Sequence, residues 1–481
     1  MRKAYFAYAL VLLFLTNVAR AQAPINYRLQ YSIPGDCCVH VQLVFTEPLP
    51  APITLVIPRT YPGGYAQILY DAYVDGVNAF GASGKSVEVK RGKDGPRWNV
   101  GSSGETVERI EYQIDVARME SQILSSDQTS KVRHGYVGLL GYSVFAYVDG
   151  LEDRAINLVV NGPDGWPILT TLAPKVPAAA TSTSAHARDY YDFADSQILM
   201  GPELQLRRFE GKIPLILAVY SEAAVDLDAE GALARQALDD VQAYFGDTPI
   251  SQYTVQLEFF KPLPGHDYNF SQEHVNSGTF SFSIDRRLNA PITPERRELI
   301  LGNYAHHIAH SWIPKRAYGT GYRPFTWELA PVIDTIWFNE GFGRYASIAA
   351  IANAMAPAEG AAYREAELAW MRQIVGAAPP FIQKMSLETL SREASFLYAV
   401  DFRTGKNIFS RGALMAAEMD DRIRAKTNGE KSLRDALRAL LAWSEKNHRA
   451  FELEEMMQVF RQATGVDVRD ILKRWQEPPA K

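Results

Sequence analysis

Residues 303–312 read NYAHHIAHSW, with His306 and His310 four positions apart. In an α-helix that spacing puts both imidazoles on one face. The stretch sits in "TPERRELILGNYAHHIAHSW", which opens with Thr293, Pro294 and Glu295, the order of an N-cap, a first-position proline and a first-turn acid. A helix is therefore expected here, presenting a histidine pair. Zinc is bound by neutral imidazoles at about 2.0–2.1 Å, with a third protein ligand and one open position where chemistry occurs. The third donor is sought downstream. Glu340 in "TIWFNEGFGRY" follows His310 with 29 residues between and is expected on a second helix.

The pattern H-E-x-x-H pairs two zinc-binding histidines with a glutamate directly after the first, which serves as general base. Here that position is His307. A lone H-x-x-x-H is more often unrelated to metal, and a lone glutamate in an aromatic helix is more often a buried, hydrogen-bonded carboxylate. The combination of the pair with "WFNEGF" gives the reading its weight.

Outward from this segment the chain divides by periodicity. It has 481 residues, 47% hydrophobic and 22% charged, enough for two or three domains. The start, "MRKAYFAYALVLLFLTNVARAQA", has a basic head, an apolar run and small-x-small sites near residues 21 and 23. This is the form of a cleaved secretory signal peptide over residues 1–23, and an exported protein, periplasmic or secreted, is expected. No later stretch is apolar enough to span a bilayer, so no stable membrane insertion is expected after cleavage. Removing the three basic residues of the leader leaves 47 basic against 55 acidic residues. A mildly acidic chain has no electrostatic reason to bind nucleic acid.

Residues 24–180 alternate or run in β-branched and aromatic residues, as in "YRLQYSI", "VHVQLVF" and "RAINLVVNG", and predict a β-sandwich domain. The Ala-, Pro-, Ser- and Thr-rich "APKVPAAATSTSAHA" (173–187) reads as a loop, so 181–204 is assigned as linker or junction. "FEGKIPLILAVYS" and "YTVQLEFF" predict strands around a helix at 223–246 within a domain spanning 205–420. The tail, 421–481, reads as amphipathic helices. Cys37 and Cys38 are adjacent, and Cα atoms about 3.8 Å apart lie below the usual disulfide range, so no structural disulfide is expected.

Several segments resemble the glycyl aminopeptidases, bacterial zinc peptidases that often carry a PDZ domain and are distant relatives of the aminopeptidase N group. "YRLQYSI" and "LVIPRTYPGGYAQILYDAYV" are similar to the family's N-terminal β-domain, and "DYYDFADSQILMG" to its domain junction. "FSQEHVNSGTFSF" resembles its G-G-L-E-H-x-x-S segment, and "HHIAHSWIPKR" its H-E-x-x-H-x-W-x-x-K-R. "PFTWE", "IWFNEGFGRYAS", "RGALMAAEMDDRIR" and "VFRQATGVDVRDILKRW" follow in order. The resemblance implies an α+β architecture, in which the β-sandwich precedes a thermolysin-like (gluzincin) catalytic-type domain and a C-terminal helical region. It implies a Zn2+ cofactor on His306, His310 and Glu340, and Glu273 as the carboxylate that receives a peptide's free amino group. With "RWQEPPAK" at the end, no PDZ domain is expected.

The chain departs from the pattern at the chemistry. His307 occupies the general-base position, and "FSRG" puts Phe409 where the family's Y-x-K-G places the tyrosine that steadies the oxyanion. Losing a general base costs about 100- to 10,000-fold in rate, and losing one oxyanion donor roughly 100- to 1,000-fold. Three readings stay open: a zinc- and peptide-binding pseudoenzyme with weak or lost peptidase activity, an active metallo-aminopeptidase using His307 as base, and a metal-free exported binding protein. His266 and His274 lack ligand spacing to anything, and His274 is expected to support the Glu273 site from behind.

Overall fold

The computed structural model describes residues 22–173, 182–266, 268–288, 292–398 and 400–477. All but the last two residues of the expected leader fall outside them. Among the described residues, no helix is long and apolar enough to cross a membrane.

The architecture is α+β, sheet-rich toward the N-terminus and helical toward the C-terminus. Ile25–Gln30 alternates buried and exposed residues and is an inner strand of a seven-stranded sheet, parallel to Ile156–Asn161 and antiparallel to the central strand Cys38–Pro50. A four-stranded sheet that includes Ile53–Val56 and Arg97–Val100 shares one apolar core with it, with Leu29, Leu43, Leu55 and Val100 among its fully buried members. A further four-stranded sheet is built on Tyr136–Leu140, every residue of which is buried.

Two expectations are corrected here. The stretch assigned as linker is structured from Ser182 onward. Ser182–Ala187 pairs antiparallel with Ile156–Asn161, and Gln197–Met200 pairs with Tyr136–Leu140. The first of these is an outer strand whose burial alternates, so small polar residues suit its exposed side and imitate a loop in composition. Cys37 and Cys38, expected to be unbridged, form a vicinal disulfide. The short Cα spacing across a peptide bond sits outside the common range without forbidding the bond.

The second half is organised on a five-stranded sheet. Its central strand, Tyr253–Phe260, is wholly buried and pairs in parallel with both Leu215–Ser221 and Ser277–Ser283. A strand buried along its whole length is one covered on both faces, and Thr254, Gln256 and Glu258 are buried here with the rest. Asn269–Glu273 is the antiparallel edge strand. Helix Leu227–Phe245 is capped by the Asp226 carboxylate and ended by Gly246 in the left-handed conformation. Helix Pro294–Ala309 starts as the sequence predicts, with the Thr293 hydroxyl accepting from the Arg296 N–H at 3.3 Å. Glu340 lies in a π-helical turn, Trp337–Phe342, that runs into helix Gly343–Ala354. The tail forms helices at Leu433–Asn447, Leu453–Thr464 and Arg469–Gln476.

Candidate metal centre and peptide cleft

Two close backbone approaches set the site. A Cβ on Gly341 would lie 2.4 Å from the Gly412 Cα, and one on Gly412 would lie 2.2 Å from the Trp337 carbonyl oxygen. Glycine at both positions lets the π-helical turn rest directly on the long helix Phe402–Lys426. That contact turns Glu340 toward the histidine pair, and Phe409, three residues before Gly412, packs its ring 5.2 Å from that of His306. A π-turn is itself a frequent mark of a functional position.

The three predicted ligands converge. His310 Nε2 is 3.2 Å from His306 Nε2, and Glu340 Oε2 is 3.5 Å from the first and 3.6 Å from the second. Donors held about 2.0–2.1 Å from one ion at tetrahedral angles stand about 3.3–3.4 Å apart, so the triangle has the size a zinc ion requires. His310 Nδ1 faces the Ile313 carbonyl at 2.8 Å, which fixes its N–H there and leaves Nε2 as the free donor. His306 Nδ1 is buried without a partner among the described residues.

Without an ion these groups polarise one another. Burial raises the Glu340 pKa, but the imidazolium of His310 and the hydrogen bonds from His306 and His310 outweigh it and hold the carboxylate well below the ordinary range. Burial lowers His310, yet Glu273 and then Glu340 push it up to about 9. His306 is kept well below its usual value by burial and by its charged neighbour.

His307 does not join them. It lines the same cleft, its ring 5.0 Å from that of His306 and 6.1 Å from that of His310, but its Nδ1 is 2.9 Å from the Asn303 carbonyl and its ring is edge-on to Phe280. The ring also lies against the Ser271 backbone of the edge strand. Burial and then His310 lower its pKa to about 4.

Glu273, at the end of the edge strand, lines the same cleft of about 730 Å³ as His306 and Glu340. Its Oε1 is buried without a hydrogen-bond partner among the described residues, and Oε2 accepts from Gln272 Nε2 at 3.1 Å. Burial, opposed by His310 and reinforced by Glu340, pushes its pKa up to about 7. Gly63, at φ +91°, makes room for it: a Cβ there would fall 1.9 Å from Oε1.

Behind Glu273 lies a buried network. Asp195 accepts from His274 Nδ1 at 3.1 Å, from the Val275 N–H at 2.8 Å and from Lys315 Nζ at 3.1 Å. Lys315 Nζ also reaches the Pro62 carbonyl at 3.4 Å. The expected supporting position of His274 matches this geometry. His266 is held elsewhere, with Nε2 2.9 Å from the Glu120 carbonyl.

Sequence reading missed the N-terminal contribution. Tyr65 accepts from Asn339 Nδ2 at 3.1 Å, beside Glu340, and its ring packs 5.3 Å from that of Tyr398, which also lines the cleft. The only sequence signal was the Gly63-Gly64 pair, which marks a place where backbone must approach something closely.

Residues 26–202 match the peptidase M61 N-terminal domain. The fold as a whole is similar to that of an aminopeptidase N family protein from Idiomarina loihiensis, with TM-score 0.82 and 18% identity over 95% of this chain and 76% of that one. An M1 zinc metallopeptidase from Deinococcus radiodurans, a mutant bound to a Tyr-Ser-Ala substrate, aligns with TM-score 0.55 and 17% identity over 96% of this chain and 94% of its own. At these identities the likeness establishes the fold. No curated protein matches the chain by sequence.

Proposed function

We propose that this chain is an exported zinc-binding protein of the M61/M1 type that holds the free amino end of a peptide and hydrolyses it weakly or not at all. The single observation that carries the reading is the ligand triangle of His306, His310 and Glu340 in one cleft with the unpartnered Glu273 oxygen. In this reading residues 205–420 are a thermolysin-like catalytic domain and 24–180 its β-domain. Zinc, when bound, supplies Lewis-acid polarisation of a carbonyl.

The chain's own residues do the rest. Glu273 Oε1 offers a buried acceptor to an ammonium group, whose charge would replace the missing hydrogen bond. The D. radiodurans structure, described as bound to a tripeptide substrate, supports a peptide as the occupant. What the chain lacks is a group to take a proton beside the metal. The His307 Nδ1–H is directed at the Asn303 carbonyl, which leaves Nε2 as its basic nitrogen, but burial and the neighbouring His310 resist its becoming imidazolium, so it is a poor base in this place. Phe409 offers no hydroxyl to a developing oxyanion. This favours the pseudoenzyme over a hydrolase run by His307. The convergence of three ligand atoms favours metal binding over a metal-free role.

Metal analysis of the mature protein tests the reading, together with binding of Ala-Leu-Phe and its N-acetyl form and an aminopeptidase assay. One zinc per chain, preference for the free amine and turnover at least about 100-fold below a Glu-containing variant are expected. A chain that cannot be loaded with zinc refutes it. N-terminal sequencing of protein recovered outside the cytoplasm tests export.

A further inference from the structure

The cleft is lined by charges of both signs, Glu273 and Glu340 among the anions and Arg286, Arg296 and Lys406 among the cations. Arg296 stands ten residues before His306 on the same helix, and its Nη2 bonds the Arg286 carbonyl, so the two arginines lie away from the ligand triangle. None of these three cations forms an ion pair among the described residues, whereas Arg344, also in the cleft, is paired with Glu367. Arg296 spends one Nη2 on the carbonyls of Asp285, Arg286 and Arg287. Lys406 lies over the Phe402 ring at 5.3 Å. Besides Glu273 and Glu340, the carboxylates lining the cleft among the described residues are Asp127 and Asp285. Three large apolar side chains of the lining are open to solvent: Leu299 is 65% exposed, Trp370 46% and Phe402 41%. Large apolar side chains left open in a cleft mark a surface that receives a ligand.

We propose that Arg286, Arg296 and Lys406 receive the terminal carboxylate of a short linear peptide whose amino end lies at Glu273 and whose later side chains rest on Leu299, Trp370 and Phe402. The proposal rests on the reading of Glu273 given above and adds the length and far end of the ligand. Arg296 and His306 stand ten residues apart on one helix, which is about 15 Å along its axis. An extended chain covers roughly 3.3–3.6 Å per residue. About four or five residues therefore cover that span, and a longer peptide overruns the cations with its carboxylate.

The test uses the zinc-loaded mature protein and calorimetric titration with Ala-Leu-Phe-Ala, its C-terminal amide, its N-acetyl form and the octapeptide Ala-Leu-Phe-Ala-Ala-Ala-Ala-Ala. Amidation is expected to weaken binding by at least tenfold, less so as salt is raised, and the octapeptide is expected to bind more weakly than the tetrapeptide. In Arg296→Gln/Lys406→Gln, acid and amide should bind alike while N-acetylation still weakens binding. Both sites are partly or fully exposed, and an unchanged unfolding midpoint shows that the variant is folded. If wild-type protein binds acid and amide equally but discriminates against the N-acetyl form, the carboxylate site is wrong and the Glu273 reading stands. If N-acetylation makes no difference, the Glu273 reading fails. If no form binds, both fall.

Discussion

Gly341 and Gly412 touch backbone to backbone, so the turn that carries Glu340 is seated on the helix that carries Phe409. Nothing larger than glycine fits at either point. Gly412→Ala is expected to destabilise the protein by about 1–3 kcal/mol through overpacking and to weaken zinc binding by tilting Glu340 away from the histidines. Urea unfolding and a competitive zinc titration measure the two effects. Lost stability with unchanged zinc affinity would separate the contact from the metal centre.

His306→Ala and Glu340→Gln each remove one corner of the ligand triangle. Both should lower zinc affinity by more than the 10- to 100-fold that even an outer-shell partner is worth. The thermal stabilisation that zinc gives the wild type should disappear with it. Retained metal in either variant would place the ion elsewhere.

His307→Glu rebuilds H-E-x-x-H and is expected to raise aminopeptidase turnover, within the roughly 100- to 10,000-fold that a positioned base supplies. Adding Phe409→Tyr should raise it further by returning a hydroxyl beside His306. The opposite outcome, wild-type turnover with an imidazole pH profile that His307→Glu destroys, would establish His307 as a working base.

Glu230 gives a pH dependence remote from the metal. Its carboxylate accepts from the Leu288 N–H and the Tyr304 hydroxyl, both at 2.8 Å, yet burial pushes its pKa from the ordinary 4.5 up to about 7. Between those values the folded chain binds the extra proton. Stability therefore falls as pH rises from about 4.5 to 7, by about 3 kcal/mol at most. Glu230→Gln should flatten that slope in denaturant titrations run at several pH values. An unaltered slope would mean that this carboxyl titrates normally.

Asp195→Ala leaves the Lys315 ammonium buried without its partner, and a loss of about 3–5 kcal/mol is expected. Asp195→Ala/Lys315→Met should recover part of it by removing the stranded charge. If the double variant is as unstable as the single one, the stability resides in the hydrogen bonds to His274 and Val275.

What could be read from the sequence depended on distance along the chain. His306 and His310 are legible because helix periodicity alone brings them together. The cap at Thr293 and the strands at Leu215–Ser221 and Tyr253–Phe260 are likewise local. Glu340 is legible only as a candidate carboxylate downstream of the pair, to which the resemblance adds weight, because no periodicity links it to His310 across the intervening residues. Tyr65 and Gly63 were not reachable: they enter the site by topology, some 270 residues from Glu340 in sequence. Ser182–Ala187 was misread because an outer strand can be made of residues that also make loops.

Gly63 gives the N-terminal half a stake in ligand choice. Because its missing side chain is the space that Glu273 Oε1 occupies, the acceptor end of the cleft is a seam between chain segments 210 residues apart. In the reading proposed for Glu273, neither half expressed alone would present a complete amine pocket. Any slight slip of the sheet-rich half would be felt first by the leading residue of a bound peptide, which makes that seam a natural place for selection to adjust preference without touching a metal ligand.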